Sequence, residues 1–239
     1  VSVATGLDYT VAVRNDGQLW GVGSNGFGSL GTNTITNVTT MQQTMTGSWT
    51  QVFSGPRTGA TFALKSDGTL YATGQNRYGE LGLNDTIGRS SPVQVPGSWQ
   101  FIATASDGQN ILGGVTVGIQ VDGTLWTWGR NTSGSLGLGD TINRSSPVQV
   151  TSLTGSWSMV TAINEAATTN YTMAAWRSDG AVYAWGANTN GQLGQNDVVF
   201  RSNPVQITGT WKVYTKPQIN ETAFQTILLI DSSDNIYFT

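Results

Sequence analysis

Residues 122–148 read DGTLWTWGRNTSGSLGLGDTINRSSPV, and this stretch decides the fold. It joins an Asp-Gly step to a short apolar run, a glycine-rich loop and a Pro-Val pair. Asp-Gly between apolar segments is a strong signal for a tight type I′ hairpin. The stretch therefore predicts two strands joined by a tight turn, followed by a long loop and a further strand.

The same pattern recurs along the chain with a period of 51 to 57 residues. The Asp-Gly steps are Asp16-Gly17, Asp67-Gly68, Asp122-Gly123 and Asp179-Gly180, with a weakened copy at Asp234-Asn235. Tryptophans preceded by Gly-Ser or Gly-Thr keep the same period: Trp49, Trp99, Trp157 and Trp211. A fixed period of this kind is typical of repeat architectures. We predict tight hairpins at residues 15–18, 66–69, 121–124, 178–181 and 232–235.

Each unit is expected to contain four strands, A to D. Strand A begins at the tryptophan, and strands B and C flank the Asp-Gly hairpin. Strand D begins at a proline, as at Pro92, Pro147 and Pro204. A four-stranded unit of this size cannot bury its apolar faces alone, so we expect an all-β fold in which the units stack radially as blades of a β-propeller. A linear solenoid is the alternative, although its repeats are usually shorter.

We predict a single β-propeller domain over residues 1–239, with units at 1–48, 49–98, 99–156, 157–210 and 211–239. The first unit begins inside strand A and lacks its tryptophan. Its segment 32–46, which we interpret as a loop, has neither the proline nor the Asp and Arg found in later units. The fifth unit ends after strand C. We expect the chain to be part of a longer polypeptide, with a five-bladed ring as the alternative.

The consensus Asp-Gly-x-Leu-Trp-x-Trp-Gly-x-Asn-x-x-Gly-x-Leu-Gly, followed by Asp-x-x-x-Arg-x-x-Pro-Val, resembles the repeat of the regulator of chromosome condensation family. Residues 122–148 match it almost throughout, and units two to four match well. The resemblance implies a seven-bladed propeller, of which this chain would form an arc. Members include a nucleotide-exchange factor for a small GTPase and a bacterial propeller of the β-lactamase inhibitor protein II type, so it also implies protein binding.

Composition excludes several classes of function. Charged residues make up 10% of the chain, against about 25% in ordinary soluble domains. The net charge of −3 argues against nucleic acid as a partner. No apolar run approaches the ~18 residues of a membrane span. Because histidine and cysteine are absent, the commonest general base and metal ligands are missing. We predict no enzymatic activity, no cofactor and no metal site.

Three recurring constellations have both a functional and a structural interpretation. Acid–arginine pairs four residues apart could form a ring of anion sites, or could each clip their own loop: Asp85/Arg89, Asp140/Arg144 and Asp197/Arg201. The Asp-Gly acids could bind calcium, or could stabilise their hairpins. The tryptophans could stack on sugars, or could pack in the core, with Trp176 as an exception to the repeat. We favour the structural interpretation in each case.

The A–B loops differ in length between units, and this irregularity predicts a binding face. The distance from tryptophan to hairpin acid is 18 residues in unit two and 22 or 23 in the next three. The A–B loops that contain these inserts are expected to share a face with the C–D loops, and irregular loops on a regular scaffold often carry function. Six acids lie outside the recurring series: Asp8, Glu80, Asp107, Glu165, Glu221 and Asp231. The predicted binding residues are Arg77, Tyr78, Asp107, Arg130, Glu165 and Glu221, with drift in loop length as the alternative.

Three functions stay open at this point. Low charge and a neutral polar surface favour a structural or adhesive component of a virion or cell surface, with other proteins as partners, including subunits of the same assembly. A virion or extracellular location would accompany that function. The alternatives are a secreted protein-binding inhibitor and, disfavoured by the absence of basic segments, a guanine nucleotide exchange factor.

Overall fold

The computed structural model describes residues 1–6, 8–55, 58–106, 113–164, 170–212, 227–231 and 233–238, and the regular structure in these ranges consists of β-strands. The first two units contain β1 (Ser2–Thr5), β2 (Tyr9–Val13), β3 (Leu19–Gly23), β4 (Val38–Met45), β5 (Gln51–Phe53), β6 (Ala60–Leu64), β7 (Leu70–Gly74) and β8 (Arg89–Val95). The next two contain β9 (Trp99–Ser106), β10 (Gly114–Gln120), β11 (Leu125–Gly129), β12 (Arg144–Gln149), β13 (Trp157–Asn164), β14 (Tyr171–Arg177), β15 (Val182–Gly186) and β16 (Arg201–Ile207). The last unit contains β17 (Leu228–Ile230) and β18 (Ile236–Phe238).

The first sixteen strands form four antiparallel sheets in which spatial order follows chain order, so each sheet is an A–B–C–D meander. The strands β17 and β18 pair with each other, and Trp211 forms an isolated bridge with Asp231. Contacts between neighbouring sheets involve the A strands β1, β5, β9 and β13. The A strands are therefore the inner strands and the D strands form the outer edges. This arrangement confirms the predicted all-β propeller of four-stranded blades.

The repeated glycine and tryptophan join consecutive units. The N–H of Trp157, at the start of one A strand, donates to the carbonyl of Gly123 in the preceding hairpin at 2.9 Å. The same bond links Trp49 to Gly17 at 2.8 Å, Trp99 to Gly68 at 2.7 Å and Trp211 to Gly180 at 3.0 Å. The side chains of Trp99, Trp128 and Trp185 are fully buried, and Trp176 is also buried. These tryptophans therefore contribute apolar area to the packing within and between blades.

The hairpins lie at the predicted positions, but their turn type differs from the prediction. The N–H of Gly17 donates to the carbonyl of Arg14, and the N–H of Arg14 donates to the carbonyl of Gln18. Gly17 has a φ of 78°, whereas Asp16 is not in the left-handed region. This is a three-residue loop, a type I turn closed by a glycine bulge. The Asp16 carboxylate accepts the N–H of Gln18 at 3.1 Å, which stabilises the turn.

The fifth hairpin also departs from the predicted alignment. Asp234 has a φ of 66°, and its N–H donates to the carbonyl of Asp231 at 3.2 Å. Asp234 therefore occupies the glycine position of the turn, and the alignment of Asp234-Asn235 with Asp-Gly was wrong by one residue. Aspartate is one of the few residues other than glycine that adopt the left-handed conformation.

The D strands begin earlier than predicted. They start at Arg89, Arg144 and Arg201, three residues before the prolines that were expected to open them. A proline inside a strand is tolerated here because each D strand is an edge strand. The segment 32–46 was interpreted as a loop, but it contains the eight-residue strand β4. This strand pairs with β3 through Val38, Gln42, Gln43 and Met45, without the proline and arginine of the later units.

Candidate functional site

Each C–D loop is organised around one buried asparagine. In unit three, Oδ1 of Asn131 accepts the N–H of Leu136 at 2.8 Å, and Nδ2 donates to the carbonyls of Asp140 and Ile142 at 3.1 Å. Asn25, Asn76 and Asn188 make the corresponding bonds in their own units. All four side chains are at most 1% exposed. These bonds hold the backbone of each C–D loop in one conformation and so fix the positions of the residues on its surface.

The acid–arginine pairs close these loops locally. Nη2 of Arg144 donates to Oδ2 of Asp140 at 2.6 Å, while Oδ1 of the same carboxylate accepts the N–H of Ile142 at 2.9 Å. The pairs Arg89–Asp85 and Arg201–Asp197 have the same geometry, with Nη2–Oδ2 distances of 2.5 Å. Because each guanidinium pairs within its own loop, the geometry supports the clip interpretation over a ring of anion sites.

The C–D loop of one unit contacts the next unit, so the loops form a continuous face. Nε1 of Trp128 donates to the carbonyl of Glu80 at 2.8 Å, and Nε1 of Trp185 donates to that of Ser135 at 2.8 Å. The hydroxyl of Ser29 donates to the carbonyl of Gly59, which lies in the A–B loop of the second unit, at 2.6 Å. This face carries the A–B and C–D loops, as the strand order requires.

Three of the six predicted binding residues come together on this face. The guanidinium of Arg130 lies 4.7 Å from the ring centroid of Tyr78, and that of Arg77 lies 5.9 Å from the same centroid. Arg130 is buried, Tyr78 is half-buried and Arg77 is exposed. One aromatic ring therefore contacts two cations at the junction of units two and three, an arrangement that orders all three side chains.

The other three predicted residues, Asp107, Glu165 and Glu221, lie outside the described residues. Within the described ranges, no group of three or more acidic side chains is placed to hold a metal ion. The same ranges contain no helix that is long and apolar enough to span a membrane.

Glu80 belongs to this cluster and was not among the predicted binding residues. Its side chain is 2% exposed, and Oε2 accepts the N–H of Tyr78 at 2.7 Å. Oε1 is buried without a hydrogen-bond partner. Burial raises the pKa of the Glu80 carboxyl, against the lowering effect of nearby backbone N–H groups. The sequence signal was available, since the other loops have Ser29, Ser135 or Gln192 at this position.

Gly113 brings the end of an A–B loop against the cluster. A Cβ at this residue would lie 2.6 Å from Cδ2 of Tyr78 and 2.9 Å from Oε1 of Glu80. Gly113 also has a φ of 94°. The close approach therefore requires glycine, and it fixes the position of Tyr78 from one side. We call the set Arg77, Tyr78, Glu80, Gly113 and Arg130 the Tyr78 cluster.

Comparison with protein families gives a direct match. The profile of the Regulator of chromosome condensation (RCC1) repeat matches residues 67–110, 122–174 and 179–214, and a second RCC1 repeat profile matches residues 1–29. Together these segments cover more than half of the chain.

Several curated proteins are similar in sequence. The Arabidopsis thaliana ultraviolet-B receptor UVR8 is 32% identical over 214 residues, which is 84% of this chain and 44% of the relative. The mitochondrial RCC1 domain-containing protein RUG3 of the same plant is 30% identical, over 86% of this chain and 46% of the relative. The probable human E3 ubiquitin-protein ligase HERC4 is 30% identical, over 90% of this chain but 20% of the relative. The chain thus spans about half the length of the first two relatives.

Solved structures show the same fold at lower identity. Human WBSCR16 superposes with a TM-score of 0.70 at 21% identity, over 87% of this chain and 52% of that one. Prp20p of Saccharomyces cerevisiae also gives a TM-score of 0.70, at 17% identity, over 87% of this chain and 50% of that one.

Proposed function

Because this chain belongs to the regulator of chromosome condensation (RCC1) repeat family, we propose that it is a protein-binding propeller that acts through association and not through catalysis. The similar yeast protein Prp20p has been characterised for its binding to Gsp1p and histones. We further propose that the five units form one propeller domain, as the uninterrupted repeat suggests. The proposed contact surface is the face formed by the A–B and C–D loops.

The Tyr78 cluster is the observation that carries this proposal. Tyrosine and arginine are enriched among the residues that dominate protein–protein affinity, because they combine large contact area with polar groups. The contacts of Tyr78 with Arg77 and Arg130 order these side chains before binding, which reduces the entropy lost on association. The exposed guanidinium of Arg77 has no ion pair within the described ranges, so it is available to a partner's carboxylate.

A more specific role can also be proposed from the composition of the chain. We propose an assembly or adhesion component of a virion or cell surface, with the corresponding location, on the low charge and neutral polar surface alone. The relatives above do not point to that role. A secreted protein-binding inhibitor and an exchange factor are the alternatives, and each would use an exposed protein-binding face. Identification of the partner decides among the three.

Variants at the cluster test the proposed face. Tyr78→Ala and Arg77→Glu should each weaken partner binding at least about tenfold, the scale of a central interface residue. Arg14→Glu is the matched charge reversal, since Arg14 is exposed beside a B–C hairpin on the opposite face. The measurement is affinity capture from the source organism with quantitative mass spectrometry, followed by binding curves for each captured protein and thermal melts of each variant.

The proposal requires partners that the two cluster variants lose and Arg14→Glu keeps. If folded Tyr78→Ala and Arg77→Glu retain every wild-type partner, the Tyr78 cluster is not the contact surface. Charge reversals at Asp107, Glu165 and Glu221 extend the same test to the A–B inserts.

A further inference from the structure

Consecutive units share a hydrogen bond at the beginning of the B strand. The hydroxyl of Ser29 in unit one donates to the carbonyl of Gly59 in unit two at 2.6 Å. The hydroxyl of Ser135 in unit three likewise donates to the carbonyl of Tyr171 in unit four at 3.1 Å. Both carbonyls also accept a main-chain N–H from their own unit. Each of them therefore has two donors, one of which belongs to the preceding unit.

The junction between units two and three lacks this hydroxyl. The equivalent carbonyl of unit three is that of Gly114, which accepts the N–H of Arg130 at 2.9 Å. The loop residue that faces it is Glu80, where units one and three have serine. Within the part of the chain that the structure describes, no side chain donates to the Gly114 carbonyl. This carbonyl therefore has one donor where its equivalents have two.

The carboxyl of Glu80 lies buried at the same junction with one oxygen unpartnered. Oε2 accepts the N–H of Tyr78 at 2.7 Å, whereas Oε1 has no hydrogen-bond partner. A Cβ on Gly113 would lie 2.9 Å from Oε1, so this oxygen faces the backbone at the beginning of β10. An ionised carboxylate only accepts hydrogen bonds, but a protonated one has an O–H to donate. A proton on Oε1 would therefore supply the donor that the Gly114 carbonyl lacks.

The charges around this carboxyl are already engaged elsewhere. The charged and titratable residues of the packed elements are Arg77, Tyr78, Asp85 and Arg89 of its own loop, and Arg130, Asp140 and Arg144 of unit three. The four residues of the two clips pair with each other, and the other two guanidinium groups lie against the ring of Tyr78. The strands β9, β10 and β11 contain no titratable side chain, and Asp107 lies outside the described residues. Burial therefore dominates and raises the pKa of the Glu80 carboxyl.

We propose that Glu80 is an acid-dependent fastener between units two and three: with a proton on Oε1 it donates to the Gly114 carbonyl, and it loses this bond when the proton leaves to solvent. The protonated carboxyl thus does what the hydroxyls of Ser29 and Ser135 do at their own junctions. Ionisation instead leaves a buried charge beside a second acceptor, which is unfavourable. The fastener does not depend on the contact face proposed above.

The fastener gives stability a pH dependence of definite sign. A carboxyl whose pKa is raised by folding stabilises the protein fully below its usual pKa of 4.5, and this contribution disappears as the pH rises through the folded pKa. Glu80→Gln keeps an acceptor and a donor at every pH, so wild type should lose stability relative to this variant over that window. Each unit by which the pKa is raised should lower the melting temperature of wild type, relative to the variant, by about 3–5 °C.

Thermal melts from about pH 4 to about pH 9 measure this difference. Glu80→Ser restores the hydroxyl that units one and three use, and its pH course should match that of Glu80→Gln. Asp85→Asn is the control on the same loop. The N–H of Ile87 and the guanidinium of Arg89 hold the pKa of Asp85 below its usual 3.8, so the difference between wild type and Asp85→Asn should stay constant over this range. A difference between wild type and Glu80→Gln that is equally constant overturns the proposal.

Direct titration tests the proton without a change at position 80. The glutamates of the chain are Glu80, Glu165 and Glu221, so isotopic labelling of glutamate carboxyl carbons gives one NMR resonance for each. Glu165→Gln and Glu221→Gln each remove one resonance and assign that of Glu80 by elimination. It should titrate above 4.5. A Glu80 resonance that titrates at or below this value overturns the proposal, and so does a wild type that gains stability over Glu80→Gln as the pH rises.

Discussion

The C–D loops of the first and third units have the same backbone plan and different chemistry. Asn25 and Asn131 make equivalent bonds, and each donates its own N–H to a second asparagine, Asn37 at 2.9 Å or Asn143 at 2.8 Å. The third loop adds a clip, Asp140 with Arg144, that the first lacks.

The outer strand nevertheless begins thirteen residues after the asparagine in both units, at Val38 and at Arg144. The clip is therefore not needed to start strand D. The buried asparagine side chains therefore determine the conformation of the loop. The Asp140–Arg144 clip contributes less to its stability.

Removing the buried amide should have the largest effect. Asn25→Ala and Asn131→Ala each leave a buried N–H and two carbonyls without partners, which is expected to cost about 3 kcal/mol of unfolding free energy. The two costs should agree because the bonds are equivalent. Urea unfolding followed by tryptophan fluorescence measures them, with Asn203→Ala, at an exposed position in β16, as the control. A small loss for Asn25→Ala beside a full loss for Asn131→Ala would show that the first loop has another organiser.

Substitutions that disturb the contacts of the C–D loops with the next unit should cause the second-largest loss of stability. Gly28 and Gly134 have φ values of 78° and 73°, and a Cβ would lie 2.5 Å from Cα of Ser90 or 2.7 Å from Cα of Ser202. Gly28→Ala and Gly134→Ala should therefore each cost about 2 kcal/mol, because the added methyl group overpacks the contact with the next unit and the left-handed backbone strains a residue other than glycine. Gly26→Ala is the control, because nothing lies within 4 Å of its Cβ position.

Thermal melts of these three variants extend the comparison to the packing of blades. Equal losses at Gly28 and Gly134 would show that the first blade packs against the second as the third packs against the fourth. A loss at Gly26 equal to that at Gly28 would instead point to a general sensitivity of the loop to alanine.

The periodic features of the fold could be predicted from sequence because each has a local cause. Asp16-Gly17 and its copies mark a reversal between two apolar segments, so the hairpin positions follow. The turn type does not follow, because Asp-Gly suits both a two-residue loop and the three-residue loop that the structure has. The strand β4 was missed because its Thr and Gln residues carry no proline or arginine signal. Its pairing is set by the neighbouring strand β3.

The candidate site could be predicted only in part. Arg77, Tyr78 and Arg130 departed from the repeat and lie together, but the sequence does not reveal that one ring contacts both cations. Glu80 was visible as a departure from Ser29 and Ser135. Its burial depends on Gly113 and on the next blade, and no local pattern encodes that contact.

The clip itself should have the smallest effect, and one that depends on pH. Partial burial opposes ionisation of Asp140, but the N–H of Ile142, the guanidinium of Arg144 and the amide of Asn131 outweigh it and hold the pKa of this carboxyl below its usual 3.8. A carboxyl whose pKa is lowered by folding stabilises the protein above the unfolded pKa, and this contribution disappears as the pH falls through the folded pKa.

A double-mutant cycle of Asp140→Asn and Arg144→Gln isolates the clip. Its coupling energy should be below about 1 kcal/mol at neutral pH, because both side chains are partly exposed to solvent. The coupling should disappear as the pH falls through the lowered pKa of Asp140 in the folded protein, and Thr34→Ala in the first unit should show no such pH dependence. Urea unfolding at several pH values measures each corner of the cycle. A coupling that persists unchanged in acid would mean that the two side chains stabilise the loop through packing and not through charge.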